Sequence, residues 1–191
     1  MGSARVLVIT GSTRAESWNR KLARAAAAAV RAAGGIATDL EPRDFALPIY
    51  DGDLEAASGL PERVLALKAL FRDHNALLIA SPEYNSSISA YLKNLIDWVS
   101  RSAPGEAGLA SFTGKTAALL GASTGALGGL RGLVHLRMIL GNIGVTVIPD
   151  QLAVNKANEA FNPDGTLKDK PNADRLAAIA ARLVRVTSAL S

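Results

Sequence analysis

Three short polar stretches of this 191-residue chain carry the side chains best suited to chemistry. The first is Gly11-Ser12-Thr13-Arg14-Ala15-Glu16-Ser17-Trp18-Asn19, which follows an apolar run and precedes an alanine-rich one. A loop between a strand and a helix offers free backbone N–H groups and the positive helix end, which together favour a phosphate. Ser12, Thr13 and Ser17 add hydroxyl donors, Arg14 a charged fork and Asn19 an amide. The stretch is neither a G-x-G-x-x-G fingerprint nor a Walker A loop. The plainer alternative is that Ser17 caps the helix and the rest is solvated turn. The second stretch is Ser81-Pro82-Glu83-Tyr84-Asn85. Proline and tyrosine give a rigid apolar edge for a flat ring, and a turn's N–H groups can meet its polar rim. Its plainer reading is a strand-to-helix turn capped by Asn85 or Ser86.

The third stretch, residues 121–129, contains Gly121-Ala122-Ser123-Thr124-Gly125, a literal G-x-S-x-G. That pattern is the nucleophile elbow of serine hydrolases, whose partners follow in the order acid then histidine. After Ser123 the only histidine is His135, and no carboxylate lies between them, so the triad cannot be assembled. What remains for Ser123 and Gly125 is a glycine loop that lets backbone approach a ligand, or a plain turn. His74 and His135 are isolated and read as ordinary surface or half-buried residues. Trp98 and Tyr91 fall on or beside an apolar stripe and read as packing residues. Asp97 and Arg101 have the i,i+4 spacing of a helical ion pair.

These stretches need a scaffold. Arg5–Thr10 is a short Val/Ile-rich run, the pattern of a strand covered on both faces. A helix follows over 17–33, stopped by Gly34-Gly35. Ile36–Leu40 is a second strand, 44–53 a turn-rich loop, and 61–73 a helix opened by proline. Ala76–Ala80 is the third strand. Ile88, Tyr91, Leu92, Leu95, Ile96 and Val99 mark one face of the next helix. A fourth strand at 116–120, a helix ending near Leu140, a fifth strand at 144–148 and a last helix at 173–190 complete the alternation. Between the last two, 155–171 is a polar excursion with an Asn-Pro-Asp-Gly turn at 162–165. Strands alternating with helices predict one α/β domain over 1–191: a flavodoxin-like, doubly wound, five-stranded parallel sheet in the order 2-1-3-4-5. Ligands of such sheets bind at the carboxyl ends of the strands, where all three stretches lie.

Composition narrows the function. Hydrophobic residues make up 49% and charged residues 20%, which is globular rather than disordered. Cysteine is absent, which excludes disulfides, thiolate metal sites and cysteine nucleophiles. A net charge of +4 without a Lys/Arg run favours small anions over nucleic acid. The longest apolar run, 25–30, falls far short of the roughly 20 residues of a membrane span. No signal peptide is visible, so cytoplasmic residence is the expectation. No metal site is expected.

Gly11-Ser12-Thr13-Arg14 with Ser17 and Asn19, and Pro82-Glu83-Tyr84-Asn85 running on into Leu92-Lys93-Asn94 and Ile96-Asp97-Trp98, resemble the NADPH-dependent FMN reductase family over roughly residues 5–150. The resemblance implies bound FMN, with NADPH or NADH as co-substrate. Ser12, Arg14, Ser17 and Asn19 would hold the flavin phosphate, with Thr13 among the cofactor-binding residues beside them. Pro82, Glu83, Tyr84 and Asn85 would wrap the isoalloxazine, and Ser123 and Gly125 would line its other edge. It further implies ping-pong reduction of a small-molecule acceptor (quinone, azo compound, chromate or flavin) and a homodimer or homotetramer, with the helix carrying Trp98 as a candidate interface. The alternative is a flavodoxin-like electron carrier with no NAD(P)H activity of its own.

Overall fold

A computed structural model describes residues 2–191. Its five strands form one sheet: β1 (Arg5–Thr10), β2 (Ile36–Leu40), β3 (Ala76–Ala80), β4 (Thr116–Ala122) and β5 (Thr146–Val154). All four neighbouring pairs are parallel, and the order is β2-β1-β3-β4-β5, as the alternation predicts. The strand order reverses between β1 and β3, so their carboxyl ends border the natural binding crevice.

Period-two alternation explains the layering. Val6, Val8, Leu78, Leu120 and their neighbours point to one face, under α1 (Trp18–Ala32) and α6 (Lys170–Leu190). Leu7, Ile9, Leu77, Ile79 and Leu119 point to the other, under α3 (Glu62–Arg72), α4 (Ala90–Val99) and α5 (Leu130–Asn142). Every residue of β3 and β4 is buried, which is why they read as continuous apolar runs. Each fully buried Leu or Ile among them stabilises the fold by about 1.5–3 kcal/mol. In α1 the buried stripe is Leu22, Ala23, Ala26, Ala27 and Val30, and its alanines let the helix lie close to the sheet.

Three segments differ from the sequence reading. The stretch expected to be loop over 44–53 contains a 3-10 turn at Pro42–Phe45 and leads into a short helix, α2 (Gly52–Ser58). Asp51 caps α2 by accepting from the amides of Asp53 and Leu54, and the helix buries no residue, so it leaves no apolar periodicity to read. β5 continues past Ile148 to Val154 through a register shift opposite Ala117–Leu119. Pro149 lies in the shift, where a missing N–H does little harm. The guanidinium of Arg137 donates to the carbonyls of Val147 and Ile148 and to Gln151 Oε1, filling acceptors the irregular ladder leaves open. Finally, α6 starts at Lys170, with Asp169 as its cap, rather than at 173.

Candidate active site

The first loop is fastened to the second. Gly11 N–H donates to Ala80 O at 2.8 Å, and Ser89 Oγ donates to Gly11 O at 2.5 Å while capping α4. A Cβ on Gly11 would stand 3.0 Å from Pro82 Cδ, so the loops abut at a contact that admits no larger residue without movement. Beyond Gly11 the backbone opens. The amides of Thr13, Ser17, Trp18 and Asn19 take no partner among the described residues. Ser12 Oγ accepts from Arg14 N–H and Ser17 Oγ from Arg20 N–H, each at 3.4 Å, leaving both hydroxyl hydrogens free to donate. Arg14 is exposed and has no carboxylate partner among the described residues. Asn19 is buried, and its amide grips the Ala122 backbone in both directions, at 2.9 Å each way. It ties the first loop to the third, and one Nδ2 hydrogen remains for a ligand.

The second loop folds into a tight hairpin. Tyr84 and Ser87 exchange backbone hydrogen bonds at 2.9 and 3.0 Å, and the two residues between them, Asn85 and Ser86, have φ of 51° and 65°. Asparagine tolerates that left-handed region; serine does so less readily, and such strain is often found at binding sites. The amides of Asn85 and Ser86 are unpartnered among the described residues. Pro82 is buried and the Tyr84 ring is half exposed.

Glu83, which lines the cleft, also has a task inside the protein. α5 begins at Gly129, which has no side chain with which to cap it. Glu83 supplies the cap from 48 residues away: its carboxylate accepts from the amides of Arg131 and Gly132 at 3.0 and 3.2 Å and from Arg131 Nε at 2.7 Å. Burial pushes the Glu83 carboxyl up, but the Arg131 guanidinium and the two amides outweigh it and hold the group below the usual carboxylate range.

The third loop depends on glycine. A Cβ on Gly121 would meet Gly128 O at 3.0 Å, and one on Gly128, whose φ is 60°, would lie 2.7 Å from Ala153 C. Ser123 Oγ accepts from Gly125 N–H at 3.2 Å. His135 instead meets Ser87 Oγ at 2.9 Å, and Ser123 has no histidine partner among the described residues.

The three loops enclose one cleft of about 190 Å³ lined by Ser12, Arg14, Ser17, Asn19, Pro82, Glu83, Tyr84 and Ser123, together with Trp18, Ala122 and Thr124. A second cleft of about 390 Å³ shares Glu83 and Ser123 with it and adds Asn85, Ser86, Gly125 and Arg131. Ten of the eleven expected residues are thus brought together; exposed Thr13 lines neither cleft. Trp18, Thr124 and Arg131 escape the sequence reading. Arg131 has no local signal, because its role depends on a contact with Glu83.

A different set of residues ties the 48–50 segment to α4. Asn94 donates to Pro48 O and accepts from Tyr50 N–H, and Trp98 Nε1 donates to the same Pro48 carbonyl, each at 2.8 Å. Trp98 is fully buried in its own chain and so is not an exposed interface anchor. Asp97 pairs with Lys93, and Arg101 with Glu55, replacing the Asp97–Arg101 pair that spacing suggests.

The donor chemistry fits a phosphate-bearing planar cofactor. The first cleft offers hydroxyls, unpartnered amides and a free guanidinium, and its one carboxylate, Glu83, is already neutralised by Arg131. No group of three His, Asp or Glu among the described residues could hold a metal.

Known proteins bear on this geometry. The family model described as NADPH-dependent FMN reductase matches residues 4–159. An NAD(P)H-dependent FMN reductase of Pseudomonas aeruginosa is 38% identical over 170 residues, 86% of this chain and 85% of that one. A quinone reductase of Escherichia coli is 34% identical over 151 residues, 79% of this chain and 73% of its own length. Among solved structures, FerB of Paracoccus denitrificans, a flavoenzyme NAD(P)H:(acceptor) oxidoreductase, superposes with a TM-score of 0.83 at 29% identity, covering 97% of this chain and 98% of FerB. An archaeal flavodoxin, at 8% identity and a TM-score of 0.58, shares the fold alone. With the loop geometry and these matches together, the chain belongs to the NADPH-dependent FMN reductase family.

Proposed function

We propose that this protein is an FMN-dependent NAD(P)H oxidoreductase that reduces small acceptors: quinones first, with azo compounds, chromate and free flavin as further candidates. The observation that carries the reading is the fastening of the β1 and β3 tips, where Gly11 packs on Pro82 and Ser89 bonds to Gly11 O, which puts anion donors and a flat apolar edge in one cleft. When bound, FMN supplies two-electron chemistry that no side chain here offers.

The chain's own residues bind, orient and shield. Ser12, Ser17 and the unpartnered amides at the start of α1 donate to the phosphate, Arg14 neutralises it, and Asn19 sets the distance to the third loop. Pro82 and Tyr84 orient the ring. The amides of Asn85 and Ser86, with the Ser123 hydroxyl, are the donors available to the ring's polar rim, and the Gly125 amide holds Ser123 Oγ in place. Glu83 acts through α5, keeping the glycine loop against the cleft. Reductant and acceptor would meet the same exposed face of the ring in turn, and initial-rate plots are expected to be parallel. We place the enzyme in the cytoplasm as a homo-oligomer.

Purified protein is expected to be yellow, or to become so with added FMN, and to oxidise NADPH or NADH when a benzoquinone is present. Colourless protein with no affinity for FMN would overturn the cofactor assignment. Yellow protein that oxidises neither nicotinamide would turn the reading to an electron carrier.

A further inference from the structure

The polar excursion between β5 and α6 has no part in the reading above, yet it builds a wall beside α1. Phe161 and Leu167 pair across an antiparallel bridge, and the Asn-Pro-Asp-Gly turn closes between them with Asn162 N–H donating to Thr166 O at 2.8 Å. Phe161 is buried and stacks on Trp18, with centroids 6.0 Å apart and planes within 7°. The turn and the outer face of α1 leave a groove of about 310 Å³ between them.

This groove neighbours the phosphate cleft along α1, across the contact of Lys21 with Trp18. Trp18 lines that cleft, and the ammonium of Lys21 rests 4.7 Å from the indole centroid. Lys21 and Arg24 both line the groove, and neither pairs with a carboxylate among the described residues. The acid opposite them, Asp164, is engaged by Thr166, accepting from its amide and its hydroxyl at 2.9 and 2.7 Å. Farther along, Ala28 and Pro163 give small apolar walls that fit a flat base. From Trp18 to Ala28 the helix rises about 15 Å, a length on the scale of a nucleoside with its phosphate. A pair of cations beside an apolar slot, one helical turn past a phosphate cradle, is the chemistry of an adenylate site.

Building on the flavin reading above, we propose that the α1–hairpin groove is an adenylate subsite through which the protein accepts FAD as well as FMN. The second phosphate of FAD lies on Lys21 and Arg24, with the Lys21 ammonium moving off the Trp18 ring to meet it. The adenine packs against Ala28 and Pro163.

The test is flavin binding by stripped protein, followed by quenching of flavin fluorescence. Wild type is expected to bind FAD within about tenfold of FMN. The double variant Lys21→Gln/Arg24→Gln, which removes the two charges without reversing them, is expected to lose about tenfold or more in FAD affinity while FMN affinity falls less than about twofold, which also shows that it has folded. FMN bound with FAD excluded would overturn the subsite, as would a double variant that weakens both flavins equally or neither. Nicotinamide dinucleotides also carry adenylate, so a second arm measures the KM of NADPH and NADH at saturating FMN. A raised KM there, with FAD affinity intact, would hand the groove to the reductant and overturn the flavin assignment. Protein that binds neither flavin would overturn the cofactor reading itself, and this inference with it.

Discussion

Arg14 stands at the mouth of the cleft with no ion pair to break, so replacing it removes a ligand contact and little else. Arg14→Ala is expected to weaken FMN binding about tenfold, the scale of one charge-assisted contact. Melting temperature without flavin should be unchanged, as should turnover at saturating FMN; full flavin retention through gel filtration would contradict the role. Glu83 is the opposite case, a charge spent inside the protein. Its carboxyl loses its proton more readily folded than unfolded, because Arg131 and two amides outweigh its burial. Its stabilisation is therefore complete above the unfolded carboxyl value of about 4.3 and fades as pH falls through the lower folded value. Glu83→Gln should cost about 1 kcal/mol at neutral pH, the usual worth of a helix cap, and the deficit should shrink in acid denaturation series below about pH 4. A deficit that persists undiminished at low pH would rule out the charged cap. Arg14 is legible in the sequence because its neighbours in the chain are its partners in the site. The task of Glu83 is not legible, because its partners lie 48 residues on and only the fold brings them together.

The β4–α5 connection shows how an element can serve a site with hardly any side chain. Gly128 adopts φ of 60° with backbone of Ala153 and Val154 within 2.7 Å of where a Cβ would stand. Gly128→Ala should therefore cost at least about 2 kcal/mol, combining left-handed strain with a backbone clash. The loop would be pushed off β5, and chemical denaturation should report the loss together with weaker flavin binding. An unchanged midpoint would mean that the loop is not held as tightly as the geometry requires. Sequence patterning reaches elements of this kind unevenly. β1, β2 and β3 have the bounds their apolar runs predict, and the sheet order follows from the alternation. β5 runs on to Val154 because Arg137 and a register shift absorb Pro149 and Asp150, which in the sequence look like the end of a strand. α2 is invisible for the reverse reason: it is held by Asp51 at one end and buries nothing, so no hydrophobic spacing announces it.

At the scale of the whole molecule, one side of α5 exposes an apolar stripe. Leu130, Val134 and Met138 recur every fourth residue there, at 39, 59 and 67% exposure, with Leu127 at 49% in the loop before them. Contiguous exposed apolar side chains of this kind mark association surfaces. We expect a second copy of the chain to cover them. Val134→Lys/Met138→Glu should shift the protein to a monomer in sedimentation velocity without altering its far-ultraviolet circular dichroism. Wild type that is already monomeric at micromolar concentration, or a variant that still associates, would remove α5 from the assembly. The consequence reaches the site. Arg131 lies on α5 beside this stripe and lines the larger cleft, and His135 from the same helix holds Ser87 at the foot of the Tyr84 hairpin. A copy docked on α5 would narrow the mouth of that cleft and restrain the hairpin from outside. The monomeric variant should then release FMN faster than the parent, even though neither substituted residue lines the cleft.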